Sequence, residues 1–183
     1  EKVLLTTVPR AEATFGPSAQ LTLHAKTLLA DSLVIHDVPA ALAIIDQVVP
    51  EARKGLPATT EVLVEALKEQ SFIAAKLNRP EPSYAALREA VELSERRFGR
   101  DSEQTIDALG LLANTYGRFA NRPRQLAVAE DAVERARQAF GSQRPHNALS
   151  MAEGFYADAL WVNDRPADAV PVLRQVVADH HRL

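Results

Sequence analysis

His180 and His181 are the one pair of adjacent histidines in this sequence, and adjacent imidazoles are a natural first place to look for a metal. On a helix, however, neighbouring side chains point about 100° apart and chelate poorly, so a solvated helix end is the plainer expectation. His24 and His36 lie about three helical turns apart on one hairpin, and His146 follows Pro145. Each reads as a hydrogen-bonded surface or capping residue rather than a ligand. There is no Cys, which removes thiolate nucleophiles, thiolate metal sites and disulfides together and leaves the redox compartment open. The seven glycines stand at 16, 55, 99, 110, 117, 141 and 154, a spacing that makes no dinucleotide or phosphate loop, and Lys26-Thr27 lacks the preceding glycine of a Walker motif. Neither a His-Glu-x-x-His helix nor a Gly-x-Ser-x-Gly elbow occurs. No catalytic residue, metal site or cofactor is therefore expected, and an enzymatic reading rests on no feature.

Two features suggest contact chemistry instead. Arg118, Arg122, Arg124, Arg135, Arg137 and Arg144 make one stretch rich in arginine. Glu130, Asp131 and Glu134 are interleaved with them, so a helix face laced with salt bridges is the first expectation and a patch for an acidic peptide or a neighbouring domain the second. Trp161 is the only tryptophan. Tryptophan is enriched at binding hot spots, but a buried packing role is the more ordinary one.

Composition sets the elements that must carry these side chains. The 183 residues are near the size of one domain. They are 46% apolar and 25% charged but only 5% aromatic, so the core has to be built from Ala, Leu and Val, which favours closely packed helices. The net charge of -3 gives no electrostatic reason to expect nucleic acid or an anionic membrane as partner. No apolar run approaches the ~20 residues of a membrane-spanning helix, so direct membrane insertion is not expected. The chain begins at Glu1 without Met, and the stretch from Val3 to Val8 reads as part of a helix, so the sequence is read as a piece of a longer protein.

The strongest signal is an internal repeat. Proline recurs at Pro39, Pro80, Pro123 and Pro166, in three copies within Asn78-Arg79-Pro80, Asn121-Arg122-Pro123 and Asp164-Arg165-Pro166, and in the first within Asp37-Val38-Pro39. A small or β-branched pair follows each proline: Val48-Val49, Ala90-Val91, Ala132-Val133 and Val176-Val177. Phe-Gly closes the unit at 15–16, 98–99 and 140–141, with Gly55 in the weaker second copy. Proline suits the first turn of a helix, and Asn or Asp two residues earlier suits the left-handed end of the preceding one. The string therefore predicts a tight turn between antiparallel helices, and Phe-Gly predicts the far end, with Gly stopping the second helix and Phe packing over its last turn. Between markers the period is helical. Leu109, Leu112, Ala113 and Tyr116 form one face, Ala152, Tyr156, Ala159 and Leu160 another, and second helices carry Leu42, Ile45 and Val48, or Tyr84, Leu87 and Ala90, or Val170, Leu173 and Val176. The expected fold is all-α, a solenoid of about four tandem helix-turn-helix hairpins.

Stretches such as Leu112-Ala113-Asn114-Thr115-Tyr116 followed by Ala132-Val133, and then Phe140-Gly141-Ser142-Gln143-Arg144-Pro145-His146, resemble the tetratricopeptide repeat in its longer, kinesin-light-chain-like variety of ~42 residues. The resemblance covers nearly the whole chain and implies a single right-handed superhelical domain over residues 1–183. Its repeats are expected at 15–54, 55–98, 99–140 and 141–183, with 1–14 ending an earlier one. Two departures stand out: Gly110-Leu111-Leu112-Ala113 lacks the Asn usual before Leu-Ala in light chains, and Gln70 and Ser71 stand where Leu and Ala are usual.

The resemblance implies a scaffold that holds a protein, a peptide or another domain of the same chain, as a regulatory module of a larger protein such as a bacterial kinase or transcription regulator. A sensor that responds to a ligand or signalling peptide is the alternative. It further implies that the first helix of each hairpin lines a concave groove. That nominates Lys68, Phe72 and Lys76, then Asp107, Asn114 and Arg118, then Asp158 and Trp161 as partner-binding residues. The mixture of charges and aromatics suits an extended peptide, whereas nucleic acid would need a uniformly basic lining.

Overall fold

The computed structural model describes residues 2–182. Among the described residues the chain is helical, without strands: α1 (Lys2–Phe15), α2 (Gln20–Leu33), α3 (Val38–Lys54), α4 (Thr60–Lys76), α5 (Pro80–Phe98), α6 (Glu103–Arg118), α7 (Arg122–Phe140), a 3-10 turn (Gly141–Gln143), α8 (Asn147–Val162) and α9 (Pro166–His180). The chain divides into two compact units, one ending at Leu93 and the other starting at Ser94, so the boundary falls within α5.

Three of the short connections between paired helices share one geometry. The chain turns through a left-handed residue at Asn78, Ala120 and Asp164, with φ of 55°, 55° and 59°. In each, the following amide reaches back to the last helical turn: Arg79 N–H to Ala74 O at 2.9 Å, Asn121 N–H to Tyr116 O at 2.8 Å, and Arg165 N–H to Leu160 O at 2.9 Å. Those bonds satisfy carbonyls that a helix end leaves open.

The sequence reading placed the left-handed residue at Asn121 in the third copy. The structure puts it at Ala120 and uses Asn121 as the residue before α7, because Pro123 sits one position deeper in its helix than Pro80 and Pro166 do. The first copy differs more. Asp37 is an N-cap whose carboxylate accepts from Ala40 N–H at 3.0 Å, and no left-handed residue precedes it.

Phe-Gly also behaves less uniformly than expected. Gly16 and Gly99 take φ of 90° and 97° and end α1 and α5, a conformation that costs other residues roughly 1–2 kcal/mol. Gly141 stays right-handed and begins the 3-10 turn. Phe15 is exposed rather than packed over its helix end, and Phe140 stacks on His146 with ring centroids 4.0 Å apart.

The unit ending at Leu93 has one aliphatic core. Leu23, Ile45, Val48, Leu63, Leu67 and Ile73 are buried to within a few per cent, with Ala30, Ala41, Ala52, Ala66, Ala86 and Ala90 letting the helices approach. The irregular Ser71 is explained here. It is buried, and its hydroxyl lies 2.8 Å from that of Ser83, which also donates to Ser71 O at 2.9 Å. A satisfied polar pair thus joins α4 to α5 where other copies would use an apolar contact.

The unit from Ser94 packs through smaller clusters. Ile106, Val133, Ala136, Leu149 and Ala152 form one, Ala113, Ala129 and Ala159 a second, and Ala157, Leu160 and Ala169 a third. Ala132 and Val133 are buried as the repeat frame requires. In α9 the inward face is Ala169, Val172 and Val176, whereas Val170 and Leu173, read from the sequence as part of that face, are exposed.

Candidate functional site

The residues nominated from the sequence fall into both units. On α4, Lys68, Phe72 and Lys76 are spaced four residues apart and so share a stripe. Phe72 is exposed, and the Lys76 ammonium lies 5.3 Å from its ring centroid. Lys68 donates to Glu65 at 3.0 Å. Between them sits a residue the sequence reading missed. The Glu69 carboxyl is largely buried, its Oε2 has no hydrogen-bond partner, and its pKa is pushed up to about 7 by burial first, then by the charges of Asp31 and Glu65 against the opposing pull of Lys68. Asp31 belongs to α2, so no pattern within α4 could have announced the effect.

The second set lies on α6 and α8, which pack against each other within the unit from Ser94. Between their first turns is a cleft of about 220 Å³ lined by Glu103, Ile106 and Asp107 from α6 and by Asn147, Ala148, Met151, Ala152 and Phe155 from α8. Met151, the only methionine in the chain, is 48% exposed at its mouth. Phe155 lies against α6 at Gly110, where an added Cβ would fall 2.6 Å from the ring. The glycine leaves room for that aromatic ring against α6.

Of the nominated residues only Asp107 lines this cleft. Asn114 and Arg118, both exposed, continue the same stripe of α6 at i+7 and i+11. Asp158 is exposed and accepts from Gln125 Nε2 at 2.9 Å. Gln125 is itself buried on α7 and crosses α6 at Gly117, where an added Cβ would come 2.5 Å from its Nε2. Trp161 is 59% exposed, so the buried packing role expected of it is incorrect. It follows Leu160, which is fully buried, and the 100° step between neighbours carries it outward. Met151, Phe155 and Asn147 have no signal in the sequence that sets them apart, since what makes them cleft residues is the packing of α8 on α6.

The arginine-rich stretch is mostly internal wiring. Arg135 is buried and binds Asp131 at 2.7 Å and Glu95 at 2.6 Å. Arg137 reaches Glu153 at 3.2 Å, and Arg144 bridges Glu153 on α8 and Asp179 on α9, two carboxylates that are almost wholly buried. His146 Nε2 lies 3.3 Å from Glu103, so this histidine is a loop contact beside the cleft. Among the described residues no group of three or more His, Asp or Glu is arranged to hold a metal.

Residues 105–147 match the tetratricopeptide repeat. The tetratricopeptide fold extends over the whole chain in comparisons with solved structures. The chain is similar to the nearly identical TPR-like repeats of a Podosopora anserina kinesin light chain protein in two crystal structures, with TM-scores of 0.80 and 0.76 at 18% and 17% identity. Each comparison covers 99% of this chain and 85% of that one. It is also similar to BtubC (BKLC) from P. vanneervenii, with a TM-score of 0.76 at 12% identity over 100% of this chain and 71% of that one. Likeness at these identities is one of fold. No curated protein sequence gives a significant match.

Tetratricopeptide repeats are protein-interaction scaffolds and are typically non-enzymatic. In this chain the repeat frame makes α2, α4, α6 and α8 the first helices of their hairpins, and these carry every nominated residue. No helix among the described residues is long and apolar enough to cross a membrane.

Proposed function

We propose that this chain is a protein- or peptide-binding module, not itself an enzyme, serving as the regulatory or interaction part of a larger multidomain protein such as a bacterial kinase or transcription regulator. The partner is a protein, a free peptide or another domain of the same chain. The observation that carries this reading is the pairing of an apolar cleft at the start of α6 and α8 with a solvent-exposed tryptophan further along α8. Met151 and Trp161 are ten residues apart, or ~15 Å along a helix, a distance that about five residues of extended peptide span. Exposed Trp and Met side chains on a folded helix are groups that gain most from being covered.

Panning the chain against a random peptide library tests the reading. Recovered peptides are expected to shift the emission of Trp161, and Arg118→Ala and Trp161→Ala should each weaken binding by ~1 kcal/mol or more with the helical signal intact. If both variants bind every recovered peptide normally, the first-helix face is not the working surface. Arg135→Ala is unsuited to locating the surface, because it removes a buried structural partner of Asp131 and Glu95.

A further inference from the structure

Helix α9 carries an apolar stripe that its counterparts in the chain do not leave open. Val49, Val133 and Val177 each end the small or β-branched pair that marks a repeat; the first two are 2% and 3% exposed, the third 55%. Counted from the left-handed residues Ala120 and Asp164, Leu126, Ala129 and Val133 of α7 correspond to Val170, Leu173 and Val177 of α9. The α7 face packs under α8, Val133 with Leu149 and Ala152, and Ala129 with Ala159. The α9 set is exposed throughout. The same count pairs Gly110 of α6 with Gly154 of α8. Gly110 receives the Phe155 ring, whereas a Cβ at Gly154 would meet nothing within 4 Å.

The structure assigns this surface, Gly154 of α8 together with Val170, Leu173 and Val177 of α9, to an α-helix presented by a partner protein, with an aromatic side chain lying over Gly154. This rests on the reading of the chain as a binding module and adds the form of one partner. The chain itself argues for a helix, because one hairpin earlier it covers the equivalent surface with α8, whose Ala152, Phe155 and Ala159 recur at intervals of three and four residues. The α9 residues have the same helical spacing, so a second helix can lay its ridge along them. An extended strand suits the face less well. It would bring unpaired backbone N–H and C=O groups onto a row of aliphatic side chains, whereas a helix satisfies its own. Trp161 lies two turns beyond Gly154 on the same stripe of α8, so a helix seated here covers the exposed indole as well.

The probe is a synthetic peptide of residues 147–160, the α8 sequence short of Trp161, carrying Glu153→Ala so that it brings no carboxylate into the contact. Free in water so short a helix is mostly unfolded. Titrated with the protein, it should gain helical signal and shift the emission of Trp161. Phe155→Ala in the peptide and Leu173→Glu in the protein should each weaken binding by roughly tenfold or more. Gly154→Leu discriminates most sharply. It fills the notch and should weaken binding as much, while the melting temperature of the protein holds or rises, since leucine favours a helix over glycine. A peptide that fails to bind the wild type, binds without gaining helix, or binds Gly154→Leu and Leu173→Glu as it binds the wild type would overturn the assignment, and the library panning would still decide the wider reading. Self-association of the wild type that disappears in Leu173→Glu would overturn it too, by giving the face to a second copy.

Discussion

Ala132 shows what a single small side chain does in this fold. It is fully buried within α7. Ala132→Arg should lower stability by more than the ~1–3 kcal/mol of simple overpacking, because an unpaired buried cation is added; an unchanged melting temperature would refute its placement. Glu69 supplies a second test at this scale. Its folded pKa lies near 7 and its unfolded one in the usual carboxylate range, so the folded state holds the proton more tightly. Stability should therefore be fully present at low pH and decline as pH rises from the carboxylate range through about 7, and Glu69→Gln should flatten that slope in melts across pH. With the carboxyl partly open to solvent, the change is on the order of 1 kcal/mol or less. Ala132 was legible in the sequence because it recurs at a fixed place in a helical period. Glu69 and the Gln125–Asp158 bond were not, since each depends on a neighbour from another helix, and no local pattern encodes which side chains two helices bring together.

At the level of the element, the hairpin turns were half legible. Proline with a preceding Asn or Asp located the four turns before α3, α5, α7 and α9, and Asn78 and Asp164 do take the left-handed conformation that these residue types tolerate. In the third turn the proline sits one residue later relative to the helix start, and the left-handed position falls on an alanine that gains nothing from it. Ala120→Gly should therefore stabilise the protein by ~1 kcal/mol in urea melts. Asn121→Gly, at a residue with φ of −85°, should not. The opposite pattern of stabilities would restore the sequence-based placement. Helix α9 teaches the same lesson about faces. Val170, Leu173 and Val176 fit a helical period, yet the helix turns Ala169 inward and leaves Val170 and Leu173 in solvent, because periodicity defines a stripe to within a residue or so and the neighbouring helix chooses the edge.

Over the whole molecule, the two compact units are built with different chemistry. The unit ending at Leu93 relies on a continuous aliphatic core, while the unit from Ser94 relies on small alanine contacts and on Arg144, which serves Glu153 and Asp179 together. Removing that arginine leaves buried Asp179 without its ion-pair partner and buried Glu153 with Arg137 alone, and Arg144→Ala should cost roughly 3–5 kcal/mol in the second unit. In repeat architectures stability is local, so hydrogen exchange should show α8 and α9 losing protection while α3 and α4 keep theirs. Equal loss throughout would show that the chain behaves as one cooperative block. The repeat fold of the chain was legible from composition and period; the division of labour between aliphatic packing and buried charge was not, since both units read as ordinary amphipathic helices. One small feature reaches beyond this molecule. Gln125 passes over the bare backbone of Gly117 to hold Asp158 in place, and no side chain fits at 117 while that crossing is made. Positions 117 and 125 are therefore coupled in inheritance: in descendant sequences a side chain gained at 117 pushes the end of Gln125 aside and breaks its bond to Asp158, which removes the reason to keep a glutamine at 125.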